Sequence, residues 1–180
     1  MNKNEIKPVS PLISPKWSSN RRVAVEKYVA KLQKIMRLAD WTIEVDWSEP
    51  CEDISYATND PMEDQKYAVI RVSDKFLDLS PHMQTQTLVH ELTHCHLTPM
   101  TDLAEYTVKS VTSKATFNVF EIALSQSCEF ATDALADVLA PLVPQFKLPE
   151  LILDVKTKAT KTPNRALVAA KKVNSKSIKS

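Results

Sequence analysis

The stretch Leu88-Val89-His90-Glu91-Leu92-Thr93-His94-Cys95-His96-Leu97 contains the pattern H-E-x-x-H. On an α-helix, His90 and His94 lie one turn apart on one face, close enough to share a metal ion, and Glu91 lies beside them. Three of the four histidines in the chain fall within these ten residues. The pattern therefore predicts a helix that binds metal; the alternative is a polar helix end that holds histidines without a metal.

The limits of this helix are predicted from its flanking residues. Ser80 can accept hydrogen bonds from the free N–H groups of the first turn, and Pro81 suits the first helical position. Pro99 is expected to stop the helix, so it should run from about residue 81 to residue 97. Three apolar residues point away from the histidine stripe and are expected to face the core: Leu88, Leu92 and Cys95.

The residues before the metal helix predict one helix and a small sheet. Residues 21–39 carry apolar side chains at i, i+3, i+4 and i+7 spacing, which is typical of an amphipathic helix. Residues 41–47 alternate apolar and polar side chains and form the clearest strand. Residues 54–58 and 67–72 are further strand candidates. A small, mainly antiparallel three-stranded sheet is expected.

The chain contains no glycine, although average usage would place about a dozen in a protein of this length. Turns are therefore expected to use Asn, Asp and Pro, as in Asn59-Asp60-Pro61. Neither a phosphate-binding P-loop nor a dinucleotide-binding fingerprint can be built without glycines at fixed positions. Nucleotide-dependent functions of these two classes are excluded.

The residues after the metal helix predict a C-terminal helical region. Residues 102–143 have a helical pattern with a break near residues 110–114. One apolar stripe is expected to face the core: Phe117, Phe120, Leu124, Cys128, Ala131, Leu135, Val138 and Leu142. A second stripe mixes small and acidic residues: Ile122, Gln126, Glu129, Asp133, Ala136, Ala140 and Val143. Its two carboxylates are either solvated surface charges or groups with a partner, such as a bound zinc ion.

A catalytic zinc ion is typically held by three protein ligands, and H-E-x-x-H supplies two. No third histidine follows at the spacing H-E-x-x-H-x-x-G-x-x-H, so the third ligand must lie elsewhere, and Glu129 is the first choice. Asp133, one turn later, is expected to accept a hydrogen bond from a zinc-bound histidine. Glu91 is expected to be the general base. His96 faces away from the stripe and is expected to be structural.

At these residues the chain resembles the gluzincin group of zinc metallopeptidases, in which H-E-x-x-H is followed by a separate helix carrying E-x-x-x-D. The matching residues are His90-Glu91-Leu92-Thr93-His94 and Glu129-Phe130-Ala131-Thr132-Asp133. The order of a helix, a short sheet, the metal helix and a further helix is also similar to the minimal zincin domain of small bacterial and bacteriophage metallopeptidase-like proteins. The similarity covers about residues 21–143.

The resemblance implies an α+β fold with a minimal zincin-like domain, Zn2+ as the cofactor and a peptide or protein as the substrate. It also implies a sheet edge strand beside the cleft, expected at residues 67–72, with which an extended substrate would pair. A tyrosine or histidine usually stabilises the transition state in this group, and Tyr106 is the candidate here. Glu121 is the alternative third zinc ligand.

The composition predicts one domain with two tails. A chain of 180 residues with 43% hydrophobic residues suits a single core. Residues 1–20 are expected to be a flexible tail, residues 21–150 the metallopeptidase domain and residues 151–180 a basic tail. Three cysteines without C-x-x-C spacing favour a reducing compartment. With no signal peptide or membrane-spanning run in the sequence, a cytoplasmic protein is expected, in the host cytoplasm if it is of phage origin.

The net charge of +1 hides a segregation of charge along the chain. Residues 155–180 carry eight basic residues and no acidic residue, whereas residues 23–154 have a net charge of −11. A basic tail could contact nucleic acid or an acidic partner. It could equally remain solvated or fold back on the acidic body, and it lacks the interleaved aromatic residues that stack on bases.

Three functional hypotheses follow from the sequence. The leading one is zinc-dependent hydrolysis of peptide bonds by an activated water, with Glu91 as the base. The second is an inactive zincin-like scaffold that binds a protein partner and does not need Glu91. The third is a nucleic-acid-associated protein that acts through its basic tails and whose affinity falls steeply with salt.

Overall fold

The structure, a computed structural model of the chain, describes residues 16–49, 51 and 54–150. It is an α+β fold of three helices and a small mixed sheet. The elements in chain order are α1 (Ser19–Ile35), β1 (Thr42–Asp46), β2 (Ala57–Met62), β3 (Tyr67–Val72), α2 (Pro81–Val111) and α3 (Lys114–Leu139). Residues 1–15 of the expected N-terminal tail and all of the expected basic tail lie outside the described residues. No described helix combines the length and the apolar content that crossing a membrane requires.

Helix α1 packs on the sheet through the apolar stripe that the sequence predicts. Its buried residues are Val25, Tyr28, Val29 and Leu32. The helix ends before residue 39 because Arg37 takes the left-handed conformation, with a φ of 60°. The N–H groups of Arg37 and Leu38 then bond to the carbonyls of Lys34 and Gln33. Glycine is the usual residue at such a helix end, and this chain, which has no glycine, uses an arginine there.

The sheet is mixed, not mainly antiparallel as expected, and its strand order is β1-β3-β2. Strands β2 and β3 are joined by a short turn and pair antiparallel. Strand β1 pairs with the other side of β3 and runs parallel to it. Strand β3 is therefore central, and the prediction that residues 67–72 form the edge strand beside the cleft is wrong. Edge strand β2 lies against α2 instead.

Strand β2 includes Asn59-Asp60-Pro61, which the sequence predicted as a turn. A proline is tolerated here because an edge strand leaves half of its N–H groups without a ladder partner. The Asn59 side chain donates hydrogen bonds to the Glu91 backbone carbonyl (2.6 Å) and to the Cys95 sulfur (3.4 Å). These contacts with α2 hold an extended conformation that turn propensity alone would disfavour.

The core lies between α1, the sheet and the N-terminal half of α2. Its largest fully buried side chains include Phe76, Leu32, Leu88 and Leu92. It also includes Trp17, whose ring lies 4.8 Å from that of Trp47. The core therefore begins within the segment that was predicted to be a tail.

Helix α2 continues through Pro99 to Val111, so the prediction that it ends at residue 97 is wrong. A proline inside a helix removes one backbone hydrogen bond and is costly, so other contacts must hold the helix together. Helix α3 supplies them on both sides of the proline. Gln86 bonds to Asp137 before it, and the Lys109 ammonium lies over the Phe117 ring after it.

Helix α3 begins where the sequence predicts a break, with Ser113 capping its first turn by accepting a hydrogen bond from the Thr116 N–H. The predicted core face is wrong, because Leu135, Val138 and Leu142 are exposed. Thr132 and Ala136 are the buried residues of α3, and they face α2. Small side chains let the two helices approach closely, and no described element covers the opposite apolar face.

The segment after α3 closes the core over α1 and α2. The Tyr28 hydroxyl donates a hydrogen bond to the Pro144 carbonyl (2.6 Å), and the Phe146 N–H donates one to the Thr85 hydroxyl (2.8 Å). The Phe146 side chain is 2% exposed and lies 5.0 Å from the Tyr28 ring and 6.0 Å from the Phe76 ring, centre to centre. This segment is part of the folded domain.

We expect Phe146→Ala to lower the free energy of unfolding by about 3–5 kcal/mol, because it leaves a cavity beneath the closing segment. Phe130→Ala is the matched control, since Phe130 is 74% exposed and its removal should change the stability by less than about 0.5 kcal/mol. Urea unfolding followed by circular dichroism measures both values. Equal losses in the two variants would contradict the placement of residue 146 in the core.

Candidate metal centre

Helix α2 turns two histidines toward α3. The buried side chains of Leu88, Leu92 and Cys95 fix the opposite face of the helix in the core, as expected. This leaves His90 and His94 on the side that faces α3, with their Nε2 atoms 3.2 Å apart. The local pattern of the sequence is thus sufficient to orient both imidazoles.

Glu129 reaches the histidines from α3. Its Oε2 lies 3.4 Å from the His90 Nε2, and its Oε1 lies 3.6 Å from the His94 Nε2. Among the described residues, His90, His94 and Glu129 are the one group of three or more His, Cys, Asp or Glu side chains placed to hold a metal ion. The structure therefore brings together the three residues chosen from the sequence as ligands.

The donor set of these residues suits zinc. Two imidazoles and one carboxylate are a known donor set of catalytic zinc sites, in which a fourth position stays free. The two Nε2 atoms lie 3.2 Å apart, and different oxygens of Glu129 lie 3.4 Å from that of His90 and 3.6 Å from that of His94. With one ligand atom taken from each residue, the three atoms lie within 4.8 Å of one another. Zinc bonds of about 2.0–2.2 Å at tetrahedral angles place ligand atoms roughly 3.3–3.6 Å apart, so the donors lie near the spacing that the ion requires.

Asp133 orients one of the two histidines. Its Oδ1 lies 2.9 Å from the His90 Nδ1, at hydrogen-bonding distance. A carboxylate there accepts the ring N–H, which holds His90 in the tautomer whose Nε2 lone pair points toward Glu129. The spacing of four residues between Glu129 and Asp133 places both carboxylates on one face of α3, where each meets a different side of the His90 ring.

Burial favours the neutral form of the second histidine. Desolvation lowers the pKa of His94, although the nearby carboxylates of Glu129 and Asp133 act in the opposite direction. Only a neutral imidazole offers a lone pair to a metal ion. At neutral pH, His94 is therefore ready to act as a ligand.

Glu91 is a buried carboxyl group without a protein partner. Glu91 is 6% exposed, and its carboxyl group forms no hydrogen bond with the residues that the structure describes, although its backbone carbonyl accepts one from Asn59. Burial, followed by the negative charges of Glu129 and Asp60, raises the pKa of Glu91 to about 8. A cation held between the histidines would favour the ionised form and lower this pKa. Glu91 is thus able to exchange a proton near neutral pH.

A cavity of about 270 Å3 opens beside His90 and Glu91. Its other lining residues are Ser55, Tyr56, Ala57, Met83, Gln86, Thr87, Asp133 and Ala136. The cavity lies between the start of β2 and the two helices, so a molecule bound in it would contact the candidate metal centre. Ala136 belongs to the stripe of small and acidic residues that the sequence analysis identified, but no signal in the sequence pointed to Tyr56.

Two residues singled out in the sequence are not brought into the metal-binding group. Tyr106 is 76% exposed on the C-terminal half of α2 and does not line the cavity. Glu121 lies two turns before Glu129 on α3 and is not among the three grouped ligands. His96 faces away, as expected, with its Nε2 2.8 Å from the Met36 carbonyl oxygen. Asn59, which fixes the metal helix to β2, was not singled out.

Comparison of the chain with protein-family models, with curated proteins and with solved structures finds no match. A functional assignment therefore depends on the geometry and chemistry of this site.

We expect the purified protein to hold about one zinc ion per chain and to lose it when either His90 or Glu129 is replaced by alanine, because two protein ligands are too few for a stable site. Glu121→Ala is the matched control and should keep the metal, since this residue lies on the same helix outside the group. Metal analysis by plasma mass spectrometry after dialysis measures the content. Retention of zinc in both ligand variants would exclude this site.

Asp133→Ala should weaken zinc binding by about 10–100-fold without abolishing it, because the ligands remain but His90 loses the group that fixes its tautomer. Competition with a chromogenic zinc chelator measures the dissociation constant. An affinity equal to that of Glu121→Ala would show that Asp133 does not position the histidine.

Proposed function

We propose that this protein is a zinc-dependent peptidase with a minimal zincin-like domain. The observation that carries the proposal is the convergence of His90, His94 and Glu129, from two different helices, with ligand atoms within 4.8 Å of one another, beside the buried Glu91. A structural zinc site would not need a buried, unpaired carboxyl group that faces a cavity. A hydrolytic site needs such a group as its base.

His90, His94 and Glu129 would together supply three protein ligands to a zinc ion. When bound, the ion would supply Lewis-acid activation of a water molecule and of the substrate carbonyl. The two histidines would bind through their Nε2 atoms, and Asp133, 2.9 Å from the His90 Nδ1, would hold that histidine in the required tautomer. Because His90 lines the cavity, a substrate bound there would lie beside the metal centre.

Glu91 would serve as the general base. Its carboxylate would accept a proton from the attacking water and deliver it to the leaving nitrogen as the C–N bond breaks, which leaves the amine neutral and returns Glu91 to its ionised form. The low exposure of Glu91 keeps bulk water from competing for that proton. The Asn59 amide, which bonds to the Glu91 backbone carbonyl, keeps this turn of the helix in register with β2.

The edge strand β2 offers a place for an extended substrate. It is paired on one side with β3, and its first residue, Ala57, lines the cavity next to Tyr56. A peptide added along this strand would form main-chain hydrogen bonds and place one side chain in the cavity. We therefore assign to residues 57–62 the pairing with an extended substrate that was expected of residues 67–72.

The second hypothesis, an inactive scaffold, differs in one group. It would use the same metal ligands but would have no requirement for Glu91. The buried and unpaired state of Glu91 favours the enzyme, because an unpaired buried carboxyl group destabilises a fold and has no use in a scaffold.

The nucleic-acid hypothesis depends mainly on a basic segment outside the described residues. The described cysteines form no disulfide, which supports a cytoplasmic location.

Glu91→Gln should keep zinc and lose hydrolysis. The amide preserves the size of the side chain but cannot accept the proton, so the cleavage rate of a mixed peptide library should fall by at least about 100-fold. Glu121→Gln makes the same chemical change outside the site and should leave the rate unchanged. Mass spectrometry of the library measures cleavage, and equal rates in the wild type and the Glu91→Gln variant would remove the proposed role of Glu91.

A further inference from the structure

The two helices that flank the cavity are almost free of positive charge. Residues 76–108 and 115–146 contain no lysine or arginine. Four lysines border these ranges, Lys75, Lys109, Lys114 and Lys147, and none of them lines the cavity. On neighbouring β3, Arg71 is already paired with three carboxylates, those of Asp46, Glu49 and Asp60. Among the described residues, those that line the cavity therefore include no lysine or arginine.

Three carboxylates follow one another along one face of α3 and form an acidic rim: Glu129, Asp133 and Asp137. The side chains of Glu129 and Asp133 are 54% and 70% exposed, and Asp137 is also exposed. The first is a candidate ligand and the second positions His90. The third has no part in the metal centre, yet it accepts a hydrogen bond from Gln86, which lines the cavity.

Asp137 keeps an uncompensated charge in this arrangement. Like charges four residues apart on a helix repel one another, and Asp133 lies four residues before Asp137. Glu129 and Asp133 both contact His90. The described contact of Asp137 is with the neutral Gln86 amide. A cationic group of a ligand would therefore be stabilised most strongly at the end of the rim, beside the Asp137 carboxylate.

The interior of the cavity differs from its rim. Glu91 is buried, its carboxyl group has no hydrogen-bond partner in the part of the chain that the structure describes, and it lines the cavity, which marks the cavity as a place where a ligand binds. Apart from the groups of the metal centre, the lining side chains are uncharged, including Met83, Thr87 and Ala136. The space thus suits an uncharged, largely apolar side chain, with charge recognised only at the rim.

We propose that the substrate of this site is a cationic polypeptide segment, with an apolar side chain in the cavity and a neighbouring lysine or arginine at Asp137. The proposal rests on the proposed function for the identity of the reaction, but it concerns recognition alone. Asp137 is then a specificity-determining residue. Anionic segments are disfavoured because no lysine or arginine in the cavity lining offsets their repulsion by the rim.

The test measures binding separately from cleavage. Two pools of peptides with an uncharged fluorophore share one apolar position and differ only in flanking residues, which are Lys and Arg in one pool and Asp and Glu in the other. Fluorescence anisotropy with zinc-loaded Glu91→Gln protein should give at least about 10-fold tighter binding of the cationic pool at low ionic strength. The difference should shrink in about 0.5 M salt, because salt screens exposed charges.

Two changes at Asp137 localise the effect. In the Glu91→Gln background, Asp137→Asn keeps an acceptor for Gln86 and should weaken binding of the cationic pool by about 3–10-fold, while Asp137→Lys should remove the preference. Asp40→Asn, an exposed carboxylate between α1 and β1, is the control and should change nothing. Equal binding of both pools, or equal behaviour of the Asp137→Asn and Asp40→Asn variants, would overturn the inference.

Cleavage of the same pools by the wild-type protein distinguishes the two proposals. Selective binding without any cleavage would sustain the recognition of cationic segments and contradict the peptidase. Cleavage of both pools at equal rates would sustain the peptidase and contradict the inference.

Discussion

The close packing of α3 on α2 is the interaction on which the candidate metal centre depends. Thr132 and Ala136 are the side chains of α3 that become buried, and their small size lets the helix lie near α2. Glu129 and Asp133 border them on the helix surface and are thereby carried to opposite sides of the His90 ring. Bulkier residues at the two buried positions would separate the helices and leave a metal ion with two protein ligands instead of three.

The parts of the site that the sequence predicts depend on geometry within one helix. Spacing of four residues places His90 with His94, and Glu129 with Asp133, whatever the rest of the fold does. The start of α2 is equally local, since Ser80 caps its own first turn. That the histidines of α2 meet a carboxylate of α3 was predicted from chemistry, because a zinc ion with two histidine ligands requires a further protein ligand.

The parts that the sequence could not predict depend on contacts between distant residues. Local signals called for a helix end at Pro99 and a turn at Asn59, but α3 holds α2 together across the proline, and Asn59 bonds to α2. Strand β1 runs parallel to β3, and the direction in which two strands pair is not encoded by the alternation of their side chains. The apolar stripe of α3 was assigned to the core on periodicity alone, yet the buried residues of this helix are the small Thr132 and Ala136.

The most direct test of the account is the position of zinc in crystals of the zinc-loaded protein, measured by anomalous diffraction at the zinc absorption edge. We expect one strong peak per chain, at roughly 2.0–2.2 Å from the Nε2 atoms of His90 and His94 and from one carboxylate oxygen of Glu129. A zinc ion bound by the two histidines with Glu129 turned to solvent, or a peak elsewhere on the chain, would contradict it.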